Sequence, residues 1–266
     1  MTTIPTLELR DIDKSFGPVH VLSSVNFTAN AGEVTALVGD NGAGKTTLVK
    51  CIGGIHRADA GELIFDGTPR SINGPRDAAS LGVEIVYQDL ALCDNLDIVD
   101  NMFLGREEVS RLHTLDENSM ENLAQKALVS LSVRTVRSVR QLVASLSGGQ
   151  RQTVAIAKSV LWKSKIVILD EPTAALGVAQ TQQVLDLVKR LADQGLAVVL
   201  ISHNLHDIFA VAHRITVLRL GRSIGVYERE KTTQQELVEA ITAGVPTRVS
   251  GIPGTGVQPE SGQAEA

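Results

Sequence analysis

The chain has 266 residues, 43% of them hydrophobic and 21% charged, and a formal net charge of −5. That length can bury roughly 70 to 75% of the unfolded surface, and the acidic balance argues against a general nucleic-acid surface, which needs concentrated positive charge. No apolar run reaches the roughly 18 to 20 uncharged residues of a membrane-spanning helix, and Met1 to Arg10 lacks the charged-then-apolar plan of a signal peptide, so the composition reads as a soluble cytoplasmic enzyme.

From about residue 5 to 38, and again from about 61 to 72, the pattern is one of short strands with Asp66-Gly67 as a hairpin signal; these are expected to form an antiparallel sheet. Lys14-Ser15-Phe16-Gly17 precedes an amphipathic stretch from Val21 to Phe27. The apolar run Val34 to Val38 then leads into Gly39-Asp40-Asn41-Gly42-Ala43-Gly44-Lys45-Thr46, a G-x-x-x-x-G-K-T sequence followed by the helical-looking Thr47 to Ile52. Strand, glycine loop and helix in that order make a phosphate cradle. Glycines let the backbone curl with its N–H groups inward, and the helix adds the positive end of its dipole. Lys45 would reach the β- and γ-phosphates, and the Thr46 hydroxyl would sit on a magnesium ion. The plain alternative, a glycine-rich turn with a surface lysine, fits the strand-loop-helix context poorly.

Val83 to Tyr87 reads as a strand running into Gln88, and from Gly105 to about Val143 the chain turns polar and helical. Arg134, Arg137 and Arg140 within it read as a solvated basic face. At Leu146-Ser147-Gly148-Gly149-Gln150, Ser147 is a natural N-cap and the two glycines leave a helix start open to an anion, although an ordinary capped helix would look similar. Ile166 to Leu169 has the composition of a buried central strand whose C-terminal edge carries Asp170 and Glu171. A carboxylate there can hold a magnesium shell and a second can orient and deprotonate water; Asp170 takes the first role and Glu171 the second. A helix near Val178 to Gln194, a strand from Ala197 to Ser202 ending at His203, and a hairpin spanning Ile215 to Glu228 follow. Thr233 and Glu236 suit a capping box for a last helix, and the Gly/Pro/Ser-rich stretch 250–266 suits a disordered tail. Cys51 and Cys93 fit no metal spacing and read as reduced thiols.

The pentapeptide 146–150, lying between the P-loop and Ile166 to Thr173, resembles the signature of the ATP-binding cassette family. The resemblance implies an α/β fold: a P-loop NTPase core with a mostly parallel sheet, an antiparallel β subdomain and an α-helical signature subdomain. One such domain would span residues 5–245, with the helical part at about 89–160. It implies ATP and Mg2+ as ligands, with Gly39, Asn41, Gly42, Gly44, Lys45, Thr46 and Thr47 around the phosphates and Thr46, Gln88 and Asp170 on the metal. Gln88 matches the glutamine that senses metal and attacking water, and His203 the switch histidine, whose neutral imidazole can hydrogen-bond the γ-phosphate. His20, His56, His113, His206 and His213 have no such match. Phe16 sits near the aromatic that stacks on adenine, a contact with little base selectivity. Family members work as a head-to-tail pair in which Ser147, Gly148, Gly149 and Gln150 of one copy close the nucleotide site of the other, against integral membrane permease subunits and, indirectly, an extracytoplasmic solute-binding protein. That places the chain peripherally on the cytoplasmic face of the inner membrane.

One departure stands out. Where most cassettes read Ser-Ala-Leu-Asp, this chain reads Ala174-Ala175-Leu176-Gly177, a deviation shared by importers of single sugars of the ribose, xylose and fructose type. Uptake of a monosaccharide is therefore expected. A cassette ATPase of DNA maintenance or of the ribosome, the alternative, would carry coiled-coil insertions, a zinc module or a second cassette, none of which this sequence has.

Overall fold

The structure, a computed structural model, describes residues 4–110, 113–133, 136–162 and 164–244. Strand β1 (Leu7–Phe16) pairs antiparallel with β2 (Val19–Ala29), and alternation along β1 buries Leu7, Leu9 and Ile12 while exposing Arg10 and Asp11. Strand β3 (Val34–Val38) leaves that sheet. The strand signal over residues 5–38 thus belongs to two sheets, a correction with a simple cause: Val-Thr-Ala-Leu-Val does not alternate, and all five residues are buried, as in a strand covered on both faces.

Strands β4 (Ala60–Phe65) and β5 (Thr68–Arg70) complete the antiparallel sheet in the order β2-β1-β4-β5. Asp66 and Gly67 between them have φ values of 48° and 75°, the doubly left-handed turn that an Asp-Gly pair favours. The second sheet adds β6 (Val83–Val86), β7 (Ile166–Asp170), β8 (Ala197–Ile201), β9 (Arg214–Arg219) and β10 (Arg222–Glu228) in the order β10-β9-β3-β8-β7-β6, with every neighbour parallel except β10.

Eight α-helices pack on this frame: α1 (Lys45–Ile52), α2 (Pro75–Ser80), α3 (Ile98–Phe103), α4 (Glu117–Ser130), α5 (Gly148–Val160), α6 (Val178–Asp193), α7 (Leu205–Val211) and α8 (Gln234–Ala243) are those of the described residues. The period-two rule divides the sheet cleanly. Ile166, Ile168 and Val199 face α1 and the antiparallel sheet through Leu48, Val49 and Ile52, whereas Val167, Leu169, Val198 and Leu200 face α5 and α6 through Ile156, Leu185 and Val188. Leu237 and Ala240 of α8 close a third cluster on β9 and β10, and Thr233 caps that helix with the expected Glu236 box.

Helices α3 and α4 form a lobe beside α5 around Met102, Phe103, Met120 and Leu128. Arg140 holds it together, and this corrects the reading of a solvated basic face: its guanidinium donates to Glu121 at 2.9 Å, Glu117 at 3.3 Å and Asp97 at 3.4 Å. Three carboxylates converge on it because Asp97 caps α3 and the two glutamates lie in the first turns of α4. Arg137 is exposed, while Arg134 and the stretch 250–266 lie outside the described residues. Cys51 and Cys93 are unpaired thiols, and burial pushes the Cys51 thiol up to about 11, which leaves it unreactive.

Candidate active site

The glycine loop leaves β3 and threads between β9 and β2. Gly39 has a φ of 154°, and a β-carbon there would lie 2.0 Å from the carbonyl oxygen of Leu218; one on Gly44, at φ 104°, would lie 2.7 Å from the Leu22 side chain. The loop can take this path only without side chains at those positions. It delivers the N-terminus of α1 at Lys45, where Gly44 supplies no side-chain cap to the opening N–H groups. The Lys45 ammonium donates to the carbonyls of Gly39 at 2.6 Å and Asp40 at 2.9 Å. Burial lowers its pKa, while Glu171, Asp40 and Asp170 pull it back up.

Neighbouring parallel strands bring the acidic groups to the same edge. β7 ends in Asp170, followed by Glu171, whose φ of 51° turns it sharply out of the strand. Such a left-handed residue costs about 1–3 kcal/mol. It is held there by its N–H, which donates to Ile201 at 2.9 Å and extends the β7–β8 ladder by one rung. The turn aims Oε2 at Nδ1 of His203, 2.8 Å away, just beyond the end of β8. The glutamate is 17% exposed and the histidine 75%, so the pair stands at the border between core and opening.

Burial, and next the charge of Glu171, hold the Asp170 carboxyl above its ordinary pKa, with Lys45 and Lys50 opposing. The folded chain therefore binds that proton more tightly than the unfolded chain, and the ionised form costs stability as pH rises through the raised value. Asp170→Asn removes that cost. Its nucleotide-free form should melt above the parent at pH 7, and the gap should close once the pH falls below the carboxylate range. Thermal scans at the two pH values check this, and an unchanged or lower melting temperature at pH 7 would contradict it.

A cavity of about 820 Å³ collects these groups. One wall is Gly39, Asn41, Gly42 and Gly44 with Lys45, Thr46 and Thr47; the facing wall is Gln88, Asp170, Glu171 and His203. Val21, Leu205 and three residues of α8, Val238, Ile241 and Thr242, also line it. Sequence reasoning missed the α8 wall because no motif marks it, and only the packing of that helix on β9 and β10 brings it there.

Five other residues singled out from the sequence lie elsewhere. Phe16 does not line the cavity: its ring packs edge-on against His56, centroids 5.0 Å apart, with the Lys14 ammonium 5.4 Å from its centre. Ser147, Gly148, Gly149 and Gln150 open α5 through a capping box, in which the Gln150 N–H donates to Ser147 Oγ at 3.4 Å and the Ser147 N–H to Gln150 Oε1 at 2.9 Å. None of the four touches the cavity.

Residues 22–174 match the ABC transporter family. The chain belongs to it. This cassette is 45% identical to the xylose/arabinose import ATP-binding protein XylG of Sulfolobus acidocaldarius, over 89% of its own length and 94% of that protein. It is 42% identical to the fructose import ATP-binding protein FrcA of Rhizobium meliloti, over 91% and 95%. The fold matches the ADP conformation of MJ1267, an ATP-binding cassette of an ABC transporter, with a TM-score of 0.77 and 24% identity over 90% of this chain and 95% of that one. It also matches the dimeric bacterial cassette MJ0796, at 0.71 and 22% identity over 84% and 98%. Like its family, the cassette binds and hydrolyses ATP. At its unusual position, Gly177 N-caps α6 without a side chain to offer; its N–H donates to Gln180 Oε1 at 3.3 Å.

Proposed function

We propose that the chain is the ATP-hydrolysing subunit of a monosaccharide importer and that it works as a head-to-tail pair. The observation that carries the hydrolytic part is the 2.8 Å contact between Glu171 and His203 across from the P-loop. The sugar comes from the relatives, whose names specify import of xylose or arabinose and of fructose; nothing among them favours a role on DNA or the ribosome.

With Glu171 ionised, Nδ1–H of a neutral His203 donates to it, which fixes the tautomer and holds the carboxylate ready for water. Water attacks the γ-phosphorus, the bond to the β-bridging oxygen breaks, and the water proton passes to Glu171. The departing phosphate or bulk water then takes that proton from Glu171, which restores the carboxylate for the next turnover. Thr46, Gln88 and Asp170 present oxygen donors of the kind Mg2+ prefers. When bound it supplies charge neutralisation on the β- and γ-oxygens.

Ser147 to Gln150 do not line their own cavity, which supports a second copy supplying them to it in an isologous pair. Closure of the pair rocks permease subunits seated near Gln88 and the helical lobe, and a solute-loaded external receptor sets the cycle going. No described helix is long and apolar enough to cross a membrane, which fits a peripheral subunit on the cytoplasmic face. The test is to purify the chain with its membrane partners and ask which sugar-loaded receptor stimulates ATP turnover. A pentose- or hexose-loaded receptor is expected to do so. Stimulation by none of the common monosaccharides would end the importer reading and leave the ATPase intact.

A further inference from the structure

A second cavity, of about 430 Å³, lies where the end of α4 meets α6 and shares no residue with the nucleotide cavity. Gln183, Asp186, Leu187 and Arg190 line it from α6, at the three- and four-residue spacing that sets them on one helix face. Leu131 and Ser132, at the end of α4, line it from the other side. The two leucines are buried and supply apolar surface, while Asp186 and Arg190 are half-buried. An aspartate and an arginine one turn apart ordinarily pair. These two are engaged elsewhere: Asp186 Oδ1 accepts from Gln182 Nε2 at 2.8 Å, and Arg190 Nη1 donates to the Leu131 carbonyl at 2.7 Å.

Both groups keep capacity to spare. A guanidinium has further N–H donors beyond the one in use, and a carboxylate has further lone pairs. Among the described residues the Gln183 amide and the Ser132 hydroxyl have no hydrogen-bond partner. Charge then narrows the ligand. Asp186 repels a phosphate and Arg190 repels an ammonium, whereas a hydroxyl both donates and accepts, so a neutral polyol satisfies the carboxylate, the guanidinium and the amide together. Its C–H face suits the two leucines. The volume lies within the range of about 300–1,000 Å³ that small-molecule sites occupy.

Thr153 of α5 lines the same cavity, and its hydroxyl donates at 2.8 Å to the carbonyl of the signature residue Gly149. A ligand seated against Thr153 therefore bears on that helix start. We propose that this cavity is a feedback site for a free monosaccharide, through which the imported product slows ATP turnover. The inference deepens the importer reading above and rests on it, since that reading supplies a neutral polyol on the side where the chain lies.

Saturation-transfer NMR on the full chain measures binding of D-xylose and D-fructose, with inorganic phosphate and glycine as competitors of other charge. Dissociation constants of roughly 1–10 mM are expected, the reach of a ligand of about ten heavy atoms in a half-open site. ATP turnover should fall about fivefold at saturating sugar, the low end of coupling between sites. Asp186→Ala should weaken sugar binding at least tenfold and abolish the slowing, with turnover in the absence of sugar unchanged. Should that variant fail to fold, Gln183→Ala, at an exposed position, decides by the same readings. Linkage is reciprocal, so excess Mg-ATP should weaken sugar binding by no more than about fivefold; complete competition would place the sugar in the nucleotide cavity and overturn the proposal. Absence of sugar binding, displacement by phosphate or glycine, or parental turnover unmoved by saturating sugar overturns it as well. Failure of the importer reading shows separately, as sugar-loaded receptors that leave the turnover of the assembled complex unstimulated.

Discussion

Replacing Glu171 with glutamine is expected to leave ATP binding intact, lower turnover by roughly 10² to 10⁴, and cause closed pairs to accumulate in the presence of Mg-ATP. The amide has the same shape and can still meet His203, so the left-handed turn after β7 and the 2.8 Å approach survive. It cannot take a proton from water. Binding should hold or improve, because the substitution also removes the negative charge that sits beside Asp170 and repels incoming phosphates. Phosphate release, nucleotide binding and light scattering measure the three quantities. Turnover equal to the parent's would remove Glu171 from the role of base.

The second large effect should come from Ser147→Tyr. Loss of the N-cap costs the helix about 1 kcal/mol, too little to unfold a chain of this size. The ring, however, would block the face that Gly148 and Gly149 leave open. Each chain should then keep its own nucleotide affinity and lose turnover by at least 100-fold, since the damage falls on its partner's cavity. A mixing experiment gives this a sharp form. Ser147→Tyr and Glu171→Gln chains are each inactive alone, but half of randomly formed pairs are mixed, and each mixed pair contains one site with both an intact base and an intact signature. Equal mixing should therefore restore about a quarter of parental turnover in an isologous pair. No recovery, with mixed pairs shown to form, would mean that the signature serves its own subunit.

Where sequence and structure agree, the features are local. The P-loop, the Ser147 and Thr233 caps, the Asp66-Gly67 turn and the buried strand before Asp170 each depend on a few adjacent residues whose backbone preferences are strong. Arg140 was misread because a run of arginines says nothing about carboxylates that α3 and α4 bring to it from elsewhere in the chain. Phe16 was legible as an aromatic near the right strand end. Its edge contact with His56 and its place outside the cavity wall depend on how the loop after α1 folds back toward β1.

Taken alone, the order of residues determined the chemistry on offer: a glycine loop with a lysine, two carboxylates ending an apolar strand, a glutamine and a histidine ending two others, and a capped, side-chain-poor helix start. Tertiary structure decided their partnerships. The parallel order β3-β8-β7 sets Glu171 against His203, α8 closes a wall of the cavity, and the signature at the start of α5 is left off the lining of that same cavity. The physical reason is one of range. Backbone preference and side-chain chemistry act between neighbours in sequence, whereas the distance between two strand ends is set by the packing of the whole sheet.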